Sequence, residues 1–509
     1  MTDTSTNNTR IAKNTIVLYF RMMIILFVNL YISRVVLNTL GVEDYGIYNV
    51  VGGFVTMFSL ISGALSNAIS RFVTFELGRG DFNRLRKVFS TSVNVQFLIS
   101  LIICLLLETI GLWFLNYKMV IPDDRMIASN WVLQCSIITF VINLISVPYN
   151  ASIIAHERMT AYAYISILEV FLKLCCVFLL YLDISDKLIA YSIMIASVAL
   201  VIRIVYGYYC TRQFSECKYF PIIDKPLLKE MTSMASWNIL GSGASVLNQQ
   251  GVNLLINLFF GVSVNAARGI ATQVSAAISS FVSSFTTAIN PQITKKYAQG
   301  NIDEMSSLVF RGARFSYYIM YFLVLPIFLE TPLILKLWLK IVPDYSVVFV
   351  RLTLLASLVS VLTTGLFTVS MATGNIKRYQ TVVGCLALSI FVLTYFSFKI
   401  GLPVESTYVI LVIVEIVIML ARIIIVNKQV KFGSLKYLKD VVLNVLLFSI
   451  VSAIIPCMVH IYLSHSLYSS IIVILTSFIV CTIVTLTVGM NKDERKRVNQ
   501  ILKNKFHSL

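Results

Sequence analysis

Residues 14–80 decide the fold, and they read NTIVLYFRMMIILFVNLYISRVVLNTLGVEDYGIYNVVGGFVTMFSLISGALSNAISRFVTFELGRG. Two apolar runs flank a short polar turn at Gly41–Tyr45. Each run is long enough to cross a bilayer as a helix, which takes ~20 mainly apolar residues. Arg21 and Arg34 lie inside the first run, where a lipid-facing arginine costs roughly 2.5–3.5 kcal/mol. We therefore expect both side chains either to extend to a membrane interface or to face a water-filled cavity.

The composition extends this conclusion to the whole chain. Of its 509 residues, 58% are hydrophobic and only 13% are charged, whereas soluble proteins have about 25% charged residues. The sequence predicts an all-α integral membrane protein with about fourteen transmembrane helices. The apolar segments are 16–36, 47–70, 89–115, 127–150, 160–182, 188–210, 236–260, 265–289, 315–338, 347–371, 382–400, 407–427, 441–463 and 468–490.

The net charge of +17 follows the membrane topology. With the N-terminus in the cytoplasm, the loops and tails on that side hold 28 of the 41 lysines and arginines. Positive residues are enriched in cytoplasmic loops of membrane proteins, so both termini are expected there and nucleic acid is not an expected partner. The polar residues before Asn14 show no small-residue cleavage site, so we predict no secretory signal peptide.

A shift of 220 residues exposes an internal repeat. Residues 68–82 read AISRFVTFELGRGDF and residues 288–302 read AINPQITKKYAQGNI. Six helices per copy return the chain to the same side, so the copies are expected to be parallel. The predicted organisation is an N-terminal lobe (1–215), a C-terminal lobe (216–430), helices 13 and 14 (431–490) and a basic cytoplasmic tail (491–509).

Ionisable residues inside membrane spans are functional candidates, and here they are Arg21, Arg34, Glu169, Lys173, Arg268 and Glu415. Glu169 precedes Lys173 by four residues, which favours an ion pair on one helix face or a place in a cavity. As a membrane acid, Glu169 is also a candidate for coupling to an ion gradient. Glu415 is either a site for a coupling proton or, as we favour, a partner of Arg422. The surplus of cations predicts a cavity for an anionic cargo such as a phosphate, because guanidinium groups bind phosphate in a bidentate manner.

No pattern of catalytic or cofactor-binding residues accompanies these charges. The nine cysteines and four histidines form no ligand spacing, and no P-loop, GxSxG, HExxH or dinucleotide motif occurs. We predict no metal, no cofactor and no enzymatic activity. A membrane polymerase or glycosyltransferase is the alternative from another class, but the predicted outward loops are short, the longest lying around Asn116–Met126.

Four stretches carry a resemblance to a known family: RIAKNTIVLYF, ISRVVLNTLGVEDYGIYNVVGGF, AISRFVTFELGRGD and PYNASIIAHERMTAYAYISILE. In their order and spacing the chain resembles bacterial Wzx-type polysaccharide flippases of the multidrug/oligosaccharidyl-lipid/polysaccharide exporter superfamily. The resemblance covers essentially the whole chain. It implies a MATE-like, V-shaped bundle of two lobes in the bacterial inner membrane, with a central cavity open to one side at a time.

The resemblance also implies a function. The cargo would be an undecaprenyl-pyrophosphate-linked oligosaccharide for lipopolysaccharide O-antigen or capsule synthesis, and the partners would be membrane lipids, a polysaccharide polymerase and chain-length machinery. A proton or sodium gradient is a candidate energy source. Alternatives on the same fold are a flippase for peptidoglycan or teichoic lipid precursors and a multidrug or cation antiporter. Arg71 is a further candidate for the diphosphate, and Tyr149 and Tyr162 are candidates for stacking on sugars or for an interfacial tyrosine belt.

Overall fold

The computed structural model describes residues 2–56, 58–117, 121–182, 185–222, 224–260, 262–339, 342–463, 467–490 and 494–495. Within these ranges the chain is helical and contains no β-strand, which confirms the predicted all-α class. The first nine helices are α1 (Thr2–Thr56), α2 (Ser59–Arg79), α3 (Phe82–Leu106), α4 (Leu112–Tyr117), α5 (Met126–Ala155), α6 (Met159–Leu179), α7 (Lys187–Gln213), α8 (Lys225–Phe260) and α9 (Val262–Ala298). The other nine are α10 (Ile302–Leu329), α11 (Thr331–Leu339), α12 (Ser346–Val361), α13 (Thr364–Thr373), α14 (Lys377–Lys399), α15 (Ser406–Val430), α16 (Ser434–Tyr437), α17 (Asn444–Tyr462) and α18 (Leu467–Val484).

Ten helical stretches in these ranges are long and apolar enough to cross a membrane, so the chain is a multi-pass membrane protein. They coincide with ten of the fourteen predicted segments. The other four segments (16–36, 47–70, 236–260 and 265–289) are mostly helical where described. Asn14–Asn29 is an apolar helical stretch, whereas serine, asparagine and glutamine side chains lower the hydropathy of 236–260 and 265–289. These four are the first two helices of each predicted lobe. The total of fourteen spans therefore stays a prediction.

The chain forms two compact units. Unit 1 comprises Met1–Ser242 and Thr294–Gly300, and unit 2 comprises Gly243–Ile293 and Asn301–Leu509. Both α8 and α9 therefore contribute residues to each unit. Pro291 lies inside α9, three residues before the part that belongs to unit 1. The predicted lobe boundaries at residues 215 and 430 stay predictions.

A glycine breaks the first helix of unit 1. Gly41 adopts φ +83°, which an L side chain rarely tolerates, so α1 changes direction there. Shortly after the break, Asp44 accepts a hydrogen bond of 2.8 Å from Arg125 Nε, and Arg125 Nη1 donates to Asp186 at 3.0 Å. Asp186 also caps the first turn of α7. These contacts tie the second part of α1 to the starts of α5 and α7.

The two segments of the predicted repeat form a similar helix–turn–helix geometry 220 residues apart. α2 is followed by Gly80 at φ +77° and α9 by Gly300 at φ +75°. In the next position, Asp81 caps α3 and Asn301 caps α10, each accepting the backbone N–H three residues ahead at 2.9 and 3.3 Å. This shared turn chemistry supports the predicted internal duplication.

Equivalent positions of the two copies also meet within unit 1. A Cβ placed on Gly78 would lie 3.0 Å from the Cβ of Ala298, its counterpart in the repeat, and 3.0 Å from the Cα of Lys295. Beside this contact, the rings of Phe75 and Tyr297 have centroids 6.3 Å apart. A larger residue at position 78 would therefore force the end of α9 to shift.

In unit 2, buried charges bind the last two membrane helices to α10. Glu330, which directly follows α10, is 5% exposed. Its Oε2 accepts a hydrogen bond of 2.6 Å from Ser470 Oγ, and its Oε1 lies 2.8 Å from His460 Nδ1. Arg314, on α10, is 3% exposed and pairs with Glu494 at 2.7 Å. Between these ends, three tyrosine hydroxyls of α10 form hydrogen bonds: Tyr317 with Ser449, Tyr318 with Gly489 and Tyr321 with the carbonyl of Ser449.

Gly78→Ala is expected to destabilise the protein by ~1–3 kcal/mol, because the added methyl group overpacks the contact between α2 and α9. Gly63→Ala is the matched control on the same helix, since nothing lies within 4 Å of a Cβ there. It should be neutral or stabilising by up to ~1 kcal/mol through helix propensity. Thermal unfolding of the purified protein in lipid nanodiscs measures both, and equal melting temperatures would contradict the packing argument.

Glu330→Ala is expected to destabilise the protein by ~2 kcal/mol, because Ser470 and His460 lose a charged hydrogen-bond partner in a buried place. Asp303→Ala is the control, since Asp303 is an exposed carboxylate in the first turn of the neighbouring α10. Thermal unfolding again provides the measurement. The attachment of α17 and α18 through Glu330 is wrong if both variants unfold at the same temperature.

Candidate functional site

Within unit 1, the charged side chain of Arg21 on α1 contacts Tyr162 on α6. The Arg21 Cζ lies 4.4 Å from the centroid of the Tyr162 ring, and Arg21 Nη2 is 3.4 Å from the Tyr162 hydroxyl. The Arg21 Nε is enclosed and has no hydrogen-bond partner among the described residues. The guanidinium is therefore held by a ring face, while part of its donor capacity stays unused.

Glu169 and Lys173 form the ion pair that their spacing predicts. The Lys173 Nζ lies 2.6 Å from Glu169 Oε1, one turn apart on α6. Tyr206 of α7 is within electrostatic range of Glu169, Tyr162 and Arg21. The pair and the arginine therefore belong to one polar region between α1, α6 and α7.

A further cation in this region was not among the sequence candidates. Arg203 lies one turn before Tyr206 on α7, and its Cζ is 4.0 Å from the ring centroid of Tyr149. It makes no hydrogen bond or ion pair with any residue in the described ranges. Its position inside the apolar segment 188–210 was the available signal, because the rule that selected Arg21 applies equally to Arg203. We call Arg21, Tyr149, Tyr162, Glu169, Lys173, Arg203 and Tyr206 the unit 1 cluster.

Three other candidate arginines, Arg34, Arg71 and Arg268, are not part of the unit 1 cluster. The side chain of Arg34 lies outside the described residues. Arg71 is 9% exposed, and its Nη1 lies 3.8 Å from Glu230 Oε1. Arg268 belongs to unit 2, where its Nη2 donates to the carbonyl of Gln249 at 3.1 Å.

Glu415 lies in unit 2, at the middle of α15. One of its oxygens, Oε2, is enclosed without a hydrogen-bond partner in the described chain. Arg422 is near enough to interact electrostatically with Glu415, but its Nη1 donates to Thr363 Oγ1 at 2.7 Å. Within the described ranges the two residues form no direct ion pair.

The unit 1 cluster can bind an anion. It contains three cations and one carboxylate, and Lys173 already neutralises that carboxylate. Arg21 and Arg203 remain, each stacked on a tyrosine and each with N–H groups that no described residue accepts. Guanidinium groups with free donors are suited to the oxygens of a phosphate. The described part of the chain contains no group of three or more metal-ligating side chains that could hold a metal ion.

Comparisons with known proteins identify the fold. With solved structures, the chain superimposes on MATE in the straight conformation at a TM-score of 0.73 and 12% identity, over 84% of this chain and 96% of that one. A transporter of the MOP superfamily from Pyrococcus furiosus, described as having a binding pocket of reverse polarity, gives a TM-score of 0.68 at 13% identity over the same shares. These likenesses confirm the MATE-like fold.

Sequence comparisons place the chain more closely. An uncharacterized membrane protein, EpsK of Bacillus subtilis (strain 168), is 22% identical over 291 residues, which is 57% of this chain and 57% of that protein. The match therefore spans little more than half of either chain. The family described as "Polysaccharide biosynthesis protein" matches residues 11–296, more than half of the sequence. The chain belongs to this polysaccharide biosynthesis protein family.

Proposed function

We propose that the protein is a flippase that moves undecaprenyl-pyrophosphate-linked oligosaccharides across the bacterial inner membrane, rather than an enzyme. The observation that carries the proposal is the pair of arginines, Arg21 and Arg203, with unused donors inside a membrane unit. The family supports a role in polysaccharide synthesis, and the fold supports transport. The glycan would supply O-antigen or capsule, and both chain termini would lie in the cytoplasm.

The proposed mechanism uses the unit 1 cluster to receive the diphosphate. A partly enclosed guanidinium interacts more strongly with a phosphate than one in bulk water, because the local dielectric constant is lower. Tyr149 and Tyr162 hold the two guanidinium groups by their ring faces, so the arginines keep their N–H edges for the ligand. The lipid tail stays in hydrocarbon throughout. Alternating access then moves the headgroup to the other leaflet.

The positive net charge of the unit 1 cluster favours the flippase proposal over a cation antiporter. An exporter of cationic drugs needs an acidic binding region, whereas the only carboxylate of the unit 1 cluster is already paired with Lys173. Glu415 remains the proposed place for coupling to a proton gradient, because one of its oxygens lacks a hydrogen-bond partner within the described chain. No cofactor is required by this mechanism.

Arg21→Gln and Arg203→Gln are each expected to reduce surface glycan about tenfold to a hundredfold, since each removes a charged hydrogen bond to the diphosphate worth ~1.5–3 kcal/mol. The variants are expressed in cells from which the gene has been deleted. Surface-glycan staining and analysis of lipid-linked intermediates give the readout, and lipid-linked repeat units should accumulate.

Arg212→Gln is the matched control for these variants, because Arg212 is an exposed arginine at the end of the same helix as Arg203. It should export glycan normally. Full export by both Arg21→Gln and Arg203→Gln, at normal membrane abundance, would remove the anion-binding role of the cluster. Absence of any glycan defect in the deletion strain would remove the flippase proposal itself.

The Glu169–Lys173 pair is expected to act as a structural unit. Glu169→Gln or Lys173→Met alone leaves one charge uncompensated inside the membrane and should lower the melting temperature. The double variant should recover most of the loss, with a coupling energy of ~0.5–3 kcal/mol. Thermal unfolding of the three variants gives this cycle. Additive losses would show that the two side chains act independently.

A further inference from the structure

A second polar region of unit 1 lies apart from the unit 1 cluster. A cavity of about 340 Å³ opens between α1, α5 and α7, within the ~300–1,000 Å³ range of small-molecule sites. Its polar lining includes Tyr48 from the part of α1 beyond Gly41, Ser136, Thr139 and Asn143 from α5, and Ser192 from α7. None of the seven cluster residues lines it.

Two side chains of α5 in this cavity lack partners. Hydroxyl groups in a membrane helix normally bond to the carbonyl four residues earlier, as four others on α5 do: Ser129, Thr139, Ser146 and Ser152. Ser136 makes no such bond, and the Asn143 amide has no hydrogen-bond partner among the described residues. Asn143 lies near the centre of the 30-residue α5, and its side chain is exposed and lines the cavity. These groups are therefore placed for a ligand.

The lining determines the chemistry of that ligand. No charged residue lines the cavity within the described chain, so an ionic ligand would find no counter-charge. The Asn143 amide and the hydroxyls offer donors and acceptors together, which suits a ligand that has both. The Tyr48 ring, whose centroid is 5.0 Å from that of Tyr191, adds a fixed aromatic wall. A sugar ring has this combination of hydroxyl edges and an apolar C–H face.

We propose that this cavity is a subsite for an uncharged sugar ring, with Asn143 and Ser136 binding its hydroxyl groups. The proposal rests on the proposed function, because the sugar is the glycan of the lipid-linked cargo. The diphosphate and the sugar thus occupy different places in unit 1. The cations of the unit 1 cluster bind the diphosphate, and uncharged hydrogen-bonding groups of the cavity bind the sugar.

Asn143→Leu tests the subsite by separating stability from transport. Removing an unpaired amide from the membrane interior should leave the melting temperature unchanged or raise it, because the apolar side chain has no bond to lose. Export of surface glycan should nevertheless fall at least tenfold, and Ser136→Ala should lower it to a smaller extent. Ser146→Ala, on the same helix with its hydroxyl bonded to Ile142, is the control and should export normally. Unchanged export by Asn143→Leu, or a clear loss of its thermal stability, would overturn the proposal.

Direct binding gives the second readout. Full-length protein in lipid nanodiscs is heated with methyl glycosides of a hexose and of an N-acetylhexosamine at millimolar concentration. At least one glycoside should raise the melting temperature of the wild type and of Ser146→Ala more than that of Asn143→Leu. Equal shifts in all three proteins would reflect general stabilisation by a cosolvent and would overturn the subsite.

The two proposals fail in different ways. Specific stabilisation by a glycoside, in a protein whose deletion leaves surface glycan normal, would keep the sugar site and remove the flippase function. Accumulated lipid-linked repeat units in the deletion strain, together with full export by Asn143→Leu, would keep the flippase and remove the subsite.

Discussion

A polar group in the hydrocarbon of a bilayer has no water to bond to, so it must find its partner inside the protein. Most of this chain obeys that constraint. The hydroxyls along α5 return to their own backbone, Lys173 binds Glu169, and Glu330 accepts from Ser470. Where a membrane-embedded polar group stays unpaired, as at Arg203 and Asn143, the place is a candidate for a ligand. Other enclosed side chains, among them Gln96, Ser316 and Thr394, also have an atom without a partner within the described residues. An unpaired group therefore marks a candidate only where it also lines a cavity or belongs to a cluster of charges.

Periodicity and hydropathy predicted much of the fold, because a membrane restricts the chain to a few solutions. Ten of the predicted segments lie on helices of membrane-spanning length, and the segments 68–82 and 288–302 contain similar turns at Gly80 and Gly300. The segments 236–260 and 265–289 were harder to identify, because their serines, asparagines and glutamines lower the hydropathy that marks a membrane span.

In the candidate site, only the contact between residues close in sequence could be predicted. Glu169 and Lys173 meet because they are one turn apart on a helix, and that spacing is visible in any sequence. Arg21 meets Tyr162 across 141 residues of chain, and only the packing of α1 on α6 determines that contact. The hydrogen bond from Arg422 to Thr363 likewise depends on which face of α15 packs against the neighbouring helices. The order of residues along the chain does not contain that information.

The fold and the charge of a binding region depend on different residues. Helix packing in this architecture depends on small residues and apolar contacts, while the charge of the binding region depends on a handful of side chains. A structural neighbour is described by the reverse polarity of its binding pocket. In this chain, Arg21 and Arg203 are each stacked on a tyrosine, and the one carboxylate of the unit 1 cluster is paired with Lys173.

The proline in α9 has a mechanical consequence. Pro291 has no backbone N–H, so the carbonyl of Thr287 loses its intrahelical hydrogen bond, and bending there costs less than elsewhere along the helix. This weak turn falls just before Thr294, where α9 passes from one compact unit to the other. Strain along α9 is therefore expected to concentrate in this one turn, between Thr287 and Pro291.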